Sequence, residues 1–434
     1  MTDCGRARLA RRASVLSVLA LAALLQSVPP ARAQTSLPAS EHWVGTWATA
    51  PVQRPQTPPT PPPGATAPPA QAPPSLANAT IREVVHVSLG GSRARVVLTN
   101  AFGTAALTVG AASLAIRDKD SNIAAGSSHP VTFAGNPSVV IPAGASMLSD
   151  PVSMNVPAMG DLAIDLFFPA EMLAATSPMT VHGGANQTNY ISKSGNFAGS
   201  ADFPVGTTTP SWWFLSRVEV AAPAPVSAII AFGDSITDGT RSMPNTNHRW
   251  PDLLIQRLAA AKGANTRAIL NEAIAGNRLL SETTAGFGIN ALARFDRDVL
   301  DQPGATYMIV LEGINDIGMG RAGGAAPSAA ELIAAHQQLI ERAHARGLKI
   351  IGATLTPFEG AAYFTADGET KRQAINAWMR SGKAFDGIID FDAATRDPQN
   401  PTKFNPPYDS GDHLHPNNAG YEAMAAAIDL KLFQ

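Results

Sequence analysis

Residues 229–239 read IIAFGDSITDG, and this stretch decides the fold of the second half of the chain. An apolar run of the kind that forms a buried strand passes directly into a tight polar turn. A turn of this kind can hold one serine exposed at the end of the strand. We therefore predict that Ser235 is a nucleophile.

Two further turns follow predicted strands in the same way. Gly276 comes after an apolar run at residues 268–275, and Asn315 lies in the sequence GIND that follows a strand at 306–311. In an open parallel sheet, the groups that bind ligands gather beyond the carboxyl ends of the strands. We expect Ser235, Gly276 and Asn315 to meet at one edge of the sheet.

The region from residue 227 onward alternates apolar strands with helical segments, a pattern typical of βαβ units and a parallel sheet. The clearest helix starts after Ser328, which forms a capping box with Glu331, and it ends at Gly347. Strands are predicted at 227–232, 267–273, 306–311, 348–355 and 387–390, and helices at 250–262, 289–300, 328–346, 369–380 and 418–430.

The region before it has a different texture. Short apolar alternations, broken by Gly, Pro, Asn and Ser, run from residue 41 to residue 222 and predict antiparallel strands in an all-β sandwich. Residues 51–74 are dense in proline, so we expect an exposed loop there. The texture changes near residues 223–225, which predicts a β-sandwich domain at 34–222 and an α/β domain at 225–434.

The N-terminus has the form of a secretory signal peptide at residues 1–33. Arginines precede an apolar stretch at 13–28, which ends in Ala31-Arg32-Ala33, a small-x-small cleavage site. The apolar stretch is short for a membrane span, so we expect an exported protein, periplasmic or extracellular, without a membrane anchor. Cleavage near Ala33 would remove Cys4, the one cysteine, which excludes disulfides and thiol chemistry from the mature chain.

The composition and the spacing of residues limit which partners and cofactors we expect this chain to bind. A formal net charge of -2 provides no field that would attract nucleic acid. Dispersed histidines without paired ligand spacing argue against a catalytic metal. The glycine patterns at 318–323 and 286–291 lack the strand-turn-helix frame of a dinucleotide site. We expect no cofactor. His336 and His344 are expected to be solvated on a polar helix face, and Trp212 and Trp213 to be buried.

A serine hydroxyl needs a base to take its proton, and histidine, with a free pKa of about 6.5, suits that task. We assign His415 as the base and Asp412, three residues earlier, as the carboxylate that orients its ring. Pro416 disfavours helical geometry at His415 and keeps the imidazole on a loop. His413 as the base and Asp409 as the carboxylate remain open alternatives.

Attack on an ester carbonyl creates an oxyanion, which needs hydrogen-bond donors aimed at it. The candidate donors are the backbone N–H groups of Ser235 and Gly276 and the side-chain amide of Asn315. Gly276 lacks a Cβ and lets the backbone approach a substrate closely, and the neutral amide of Asn315 donates without titrating.

These motifs resemble those of the GDSL-type, or SGNH, serine hydrolases, whose four hallmark residues fall here on Ser235, Gly276, Asn315 and His415. The family's eponymous leucine is replaced by Ile236. The resemblance covers residue 227 to the C-terminus and implies a flavodoxin-like three-layer α/β/α fold with cofactor-free esterase or lipase chemistry. It also implies supporting roles for two acidic neighbours within the motifs, Asp234 and Asp316. Residues 45–48, GTWA, look like the start of secreted family members that carry a β-domain first.

The expected substrates are small-molecule or carbohydrate esters, with short-acyl, O-acetyl and aryl esters all open. A lysophospholipase or lipase, or an acyltransferase, would use the same residues. A hypothesis of a different class makes the β-domain a glycan-binding module beside an inactive hydrolase scaffold.

Overall fold

A computed structural model describes residues 42–57, 72–262, 267–282, 285–320 and 324–434. The predicted signal peptide with Cys4, most of the proline-rich loop and residues 321–323 of one glycine pattern lie outside the described residues. The stretch His42–Gln434 forms one compact unit. No helix within the described ranges is long and apolar enough to cross a membrane.

The first region is built from antiparallel strands, as predicted, but the start of the predicted proline-rich loop is wrong: Val52–Arg54 forms an edge strand, which tolerates the neighbouring prolines. Its two large sheets have the orders β1-β16-β4-β10, with β9 beside β4, and β14-β13-β3-β11-β6-β7. Smaller sheets have the orders β15-β12-β2 and β5-β8. The strands are β1 (Trp43–Ala48), β2 (Val52–Arg54), β3 (Ala79–Val87), β4 (Gly91–Thr99), β5 (Leu107–Val109), β6 (Ala111–Ile116), β7 (His129–Val131), β8 (Val139–Ile141), β9 (Ser146–Leu148), β10 (Val152–Val156), β11 (Gly160–Phe168), β12 (Met179–His182), β13 (Asn189–Ser194), β14 (Val205–Thr209), β15 (Trp212–Trp213) and β16 (Leu215–Ala221).

The second region contains a five-stranded parallel sheet with the order β18-β17-β19-β20-β21. Numbered from its first strand, this order is 2-1-3-4-5, the flavodoxin-like arrangement that was expected. Every residue of the interior strand β17 is buried, as in a parallel sheet covered on both faces. The strands are β17 (Ser227–Gly233), β18 (Arg267–Asn271), β19 (Ala305–Leu311), β20 (Lys349–Ala353) and β21 (Gly387–Ile389).

The helices follow the predicted alternation, with three additions at the strand ends. Three short helices, α1, α4 and α7, begin where the sequence predicts no helix. The predicted helix at 289–300 becomes α3, which continues as a π-helix over Asp296–Leu300. The helices are α1 (Ser235–Asp238), α2 (Trp250–Lys262), α3 (Ala291–Phe295), α4 (Ile314–Met319), α5 (Ala329–Ala345), α6 (Ala366–Arg380), α7 (Phe391–Thr395) and α8 (Asn418–Ala426), with 3-10 turns at Ala285–Phe287, Pro406–Tyr408 and Leu430–Phe433.

The antiparallel strands from Trp43 to Ala221 form what we call the β-region. Its first strand, β1, lies against β18, the edge strand of the parallel sheet. Thr49 forms a parallel bridge with Asn271. The backbone of Gly45 comes so close that a Cβ there would lie 2.7 Å from the side chain of Leu270. Buried side chains of both regions form one continuous apolar core.

One helix expectation is wrong. His336 is fully buried in α5, with the rings of Trp378 and Phe385 each 6.1 Å away. Burial lowers the pKa of His336 to about 4, so the ring is neutral near pH 7. The ring is excluded from water because α6 and the Phe385 loop cover that face of α5. His344 is exposed as expected, and Trp212 and Trp213 are buried as expected.

Candidate active site

The nucleophile candidate lies at the switch point of the sheet, where β17 ends. Asp234 caps α1, and its Oδ1 accepts the N–H of Ile236 at 3.0 Å. Ser235 is the first residue of α1, so its own N–H has no acceptor within the helix. Gly233 precedes them because a Cβ there would lie 2.4 Å from the carbonyl oxygen of Leu311. The sharp strand-to-helix turn therefore presents the serine hydroxyl and N–H together.

The three residues predicted to act together do meet. Ser235 Oγ lies 2.8 Å from His415 Nε2, although 180 residues separate them in the chain. The other ring nitrogen of His415, Nδ1, lies 2.8 Å from Asp412 Oδ2. A carboxylate can only accept, so Nδ1 carries the proton and Nε2 is left to accept from the serine hydroxyl.

The loop holds Asp412 in its charged form. Partial burial works to raise the pKa of this carboxyl, but hydrogen bonds from the backbone N–H and the ring of His415 outweigh it and hold the pKa well below its usual range. The backbone N–H of Leu414 donates to Oδ1 at 3.1 Å. Arg241, whose side chain is largely exposed, donates to Oδ2 at 3.2 Å.

The alternative histidine forms a separate pair. His413 Nδ1 lies 2.6 Å from Asp409 Oδ2, and its side chain is half exposed. Its backbone φ is 61°, in the left-handed region. Its ring packs close to Gly360, where a Cβ would lie 2.9 Å from it. His413 and Asp409 therefore brace the loop around the Asp412–His415 pair.

The two further strand-end residues reach the same edge. Gly276 has a φ of 78°, and a Cβ there would lie 2.4 Å from the ring of Phe287. Asn315 is in the first turn of α4, and its Nδ2 donates to the carbonyl of Asn277 at 3.0 Å. Its Oδ1 accepts the hydroxyl of Tyr363 at 3.2 Å. The amide orientation is thereby fixed, and one N–H of Nδ2 remains for a ligand.

The two acidic neighbours lie beneath this edge. Asp316 accepts the backbone N–H groups of Leu279 and Leu280 at 2.7 and 3.1 Å, which fastens the loop that follows Gly276. Burial raises the pKa of Asp316 to about 6. Burial, with the nearby charge of Asp316, raises the pKa of Asp234 to about 7.

A cluster of buried ionisable side chains lies behind the site and was not predicted from the sequence. Arg294 is fully buried and donates to the carbonyl oxygens of Gly233 and Glu272 at 3.0 and 2.6 Å. Its guanidinium also reaches Asp298 at 3.1 Å and Glu312 at 4.0 Å. Burial raises the pKa of both Glu272 and Glu312 well above the usual range. The sequence does contain a signal for this cluster, because Glu272 and Glu312 each come directly after an apolar strand.

A serine beside an imidazole at the carboxyl edge of such a sheet is the arrangement of a hydrolase with a serine nucleophile, and the family match described next supports a carboxylic ester hydrolase. Residues 231–423 match the model of the GDSL-like Lipase/Acylhydrolase family. The matched segment contains Ser235, Gly276, Asn315 and His415, the residues whose motifs suggested this family. No protein with a curated description matches the chain.

Several solved structures are similar at low identity. A GDSL-like lipase from Bacteroides thetaiotaomicron is 21% identical, with a TM-score of 0.34, over 49% of this chain and 90% of that chain. An acetyl xylan esterase is 17% identical, with a TM-score of 0.35, over 46% of this chain and 96% of that chain. A family two carbohydrate esterase from Cellvibrio japonicus is 12% identical, with a TM-score of 0.36, over 91% of this chain and 95% of that chain.

Proposed function

We propose that this chain is an exported serine esterase in which Ser235 is the nucleophile, His415 the general base and Asp412 the residue that orients the base. One observation carries the proposal: the serine hydroxyl lies 2.8 Å from one nitrogen of an imidazole whose other nitrogen lies 2.8 Å from a carboxylate. Such an arrangement activates a hydroxyl that is otherwise a weak nucleophile.

The reaction proceeds in two halves. Ser235 Oγ attacks the ester carbonyl carbon while His415 Nε2 takes the hydroxyl proton. The tetrahedral intermediate collapses when the same imidazolium returns that proton to the departing alcohol oxygen, leaving an acyl group on Ser235. Water, deprotonated by His415, then attacks the acyl carbonyl, and the proton passes back to Ser235 as the acid leaves. Asp412 stays ionised throughout and stabilises the transient imidazolium.

Three donors would stabilise the oxyanion: the N–H groups of Ser235 and Gly276 and the free N–H of the Asn315 amide. Each comes from the carboxyl end of a different strand, β17, β18 or β19, and these three strands are neighbours in the sheet. Loss of one such donor costs about a hundred- to a thousandfold in turnover.

The proposed substrates are short-acyl, carbohydrate O-acetyl or aryl esters. The ring of Phe287, which is 37% exposed, packs on Gly276 and offers an apolar wall beside the proposed oxyanion site. Such a wall suits a small acyl group or an aromatic alcohol. An acyltransferase would use the same residues, and product analysis with an added alcohol acceptor separates transfer from hydrolysis.

The test compares the mature chain, starting after Ala33, with its Ser235→Ala variant on 4-nitrophenyl acetate. We expect a loss of more than about a thousandfold in the variant, because the covalent intermediate cannot form. Equal rates for the two chains would discard the serine mechanism and would favour the glycan-binding hypothesis. Burial of Trp212 and Trp213 already removes those two rings as a sugar platform.

A further inference from the structure

A buried histidine from the β-region contacts the nucleophile helix. His182, at the end of β12, is 3% exposed and belongs to the region before the parallel sheet. Its Nε2 lies 3.1 Å from Oδ1 of Asp238, the last residue of α1. Its Nδ1 lies 2.8 Å from the carbonyl oxygen of Ala50. Nothing in the mechanism above uses this side chain.

The two nitrogens of the ring have different partners. The Ala50 carbonyl can only accept, so Nδ1 donates to it. Nε2 forms its hydrogen bond with a carboxylate oxygen of Asp238, and both side chains are buried. Because neither side chain can exchange this contact for one with water, the contact restrains both of them.

The second oxygen of Asp238 extends the connection to the loop after β18. Asp238 Oδ2 accepts the backbone N–H of Ala275 at 3.2 Å. On the other side of Gly276, the N–H of Asn277 donates to the carbonyl of Ile274 at 3.0 Å. The N–H of Gly276 thus lies between two anchored amides. Without the Asp238 contact, the segment that presents this N–H would lose its hydrogen bond at Ala275.

The same segment of the β-region makes a second contact with α1. Asn186 Nδ2 donates to the carbonyl oxygen of Gly239, the C-cap of α1, at 2.8 Å. The helix that carries Ser235 is therefore restrained at its C-terminal end by two side chains from the β-region, His182 and Asn186.

We propose that His182 is a positioning residue for the esterase reaction: it holds Asp238, which accepts the N–H of Ala275 and so fixes the segment in which the next N–H, that of Gly276, points at the oxyanion. This inference rests on the proposed function. It gives the β-region a part in turnover that requires no contact with substrate.

Two substitutions divide the contacts of His182. In His182→Gln, the amide nitrogen takes the place of Nε2 and keeps a donor for Asp238. In His182→Asn, the amide nitrogen takes the place of Nδ1, keeps the donor for Ala50 and leaves Asp238 Oδ1 without one. We expect His182→Asn to lower kcat on 4-nitrophenyl acetate about ten- to a hundredfold with little change in KM, and His182→Gln to recover most of that loss.

The matched control is His86→Gln. His86 pairs with Asp161 through Nδ1, at 2.7 Å, within the β-region, and the Gln amide nitrogen cannot replace a donor at that position. We expect its kcat to equal that of the unsubstituted chain. Equal kcat values for His182→Asn and His182→Gln, with both chains folded by thermal unfolding, would overturn the proposal.

If His182→Asn does not fold, substitutions of Asp238 pose the same question. Asp238→Asn keeps an oxygen that can accept the Ala275 N–H, and Asp238→Leu has the same size without an acceptor. We expect kcat to be at least tenfold higher in Asp238→Asn, and equal values would overturn the proposal. An inactive Ser235→Ala beside a fully active His182→Asn would reject this inference alone, whereas an active Ser235→Ala would reject the proposed function itself.

Discussion

Asp412 and Asp409 each bind a histidine of the same loop, so substituting one aspartate and then the other shows which pair acts in the reaction. We expect Asp412→Asn to lower kcat about a hundred- to ten-thousandfold, because an amide can hold His415 in the wrong tautomer and cannot stabilise an imidazolium. The measurement is kcat on 4-nitrophenyl acetate at neutral pH. Asp409→Asn is the control, and a greater loss there than in Asp412→Asn would transfer the role to the His413 pair.

Gly276 is required by conformation as well as by space. Its φ of 78° disfavours a side chain, and a Cβ would lie 2.4 Å from the Phe287 ring. We expect Gly276→Ala to lower kcat at least a hundredfold, because the backbone must shift the N–H that faces the oxyanion. Gly286→Ala, at a position where a Cβ meets nothing within 4 Å, is the control. Turnover in Gly276→Ala equal to that of the control would remove Gly276 from the oxyanion site.

At the scale of elements, apolar patterning predicted the strands of the parallel sheet to within about two residues. It could not predict α1, α4 and α7, because helices of four, six and five residues are too short to show a helical period. Asp234 caps α1 locally, whereas α4 depends on a tertiary contact, since Asp316 accepts two amides of a distant loop. The π-helix after α3 likewise has no signature in a pattern that reads as one amphipathic helix.

The helix α5 shows the opposite case, in which local signals suffice. Ser328 Oγ accepts the N–H of Glu331 at 3.2 Å, and the Glu331 carboxylate accepts the Ser328 N–H at 2.9 Å. We expect Ser328→Ala to reduce the free energy of unfolding by about 1 kcal/mol and to leave kcat unchanged. Urea denaturation measures the difference, with the exposed Ser153→Ala as the control. No difference between these two variants would show that the cap contributes nothing.

At the scale of the whole molecule, buried acids make stability depend on pH. The folded-state pKa of Asp234 is raised to about 7, so between its unfolded value and 7 the folded chain binds more protons than the unfolded chain. Stability from this group therefore falls as pH rises through that window. Between pH 5 and pH 8 the unsubstituted chain should lose on the order of 2 kcal/mol of its free energy of unfolding through this group, and we expect Asp234→Asn to abolish that loss.

The measurement is the free energy of unfolding of both chains at the two pH values. The exposed Asp118→Asn serves as the control for the loss of one carboxyl group. If the stability gap between Asp234→Asn and the unsubstituted chain stays constant from pH 5 to pH 8, the carboxyl does not titrate in this range.

Sequence reasoning brought together Ser235, His415 and Asp412 because each lies in a short motif with its own chemical logic. It missed His182 and Arg294, whose partners come from strands and helices far away in the chain and become neighbours only when the sheet forms. His336 was misassigned for a related reason: a helix face that carries polar residues is buried when another helix covers it. Motif chemistry is local, whereas burial is a property of the assembled molecule.

The strand Trp43–Ala48 decides whether the α/β region can be expressed without the residues that precede it. It shields the open flank of β18, where Ile269 N–H donates to Ser88 Oγ at 3.1 Å and Asn271 pairs with Thr49. A fragment that starts after residue 223 would expose that edge of β18 to solvent. Unpaired backbone amides would then lie beside apolar side chains that are buried in the whole protein. Such an edge recruits other chains, so the truncated piece should precipitate when expressed alone.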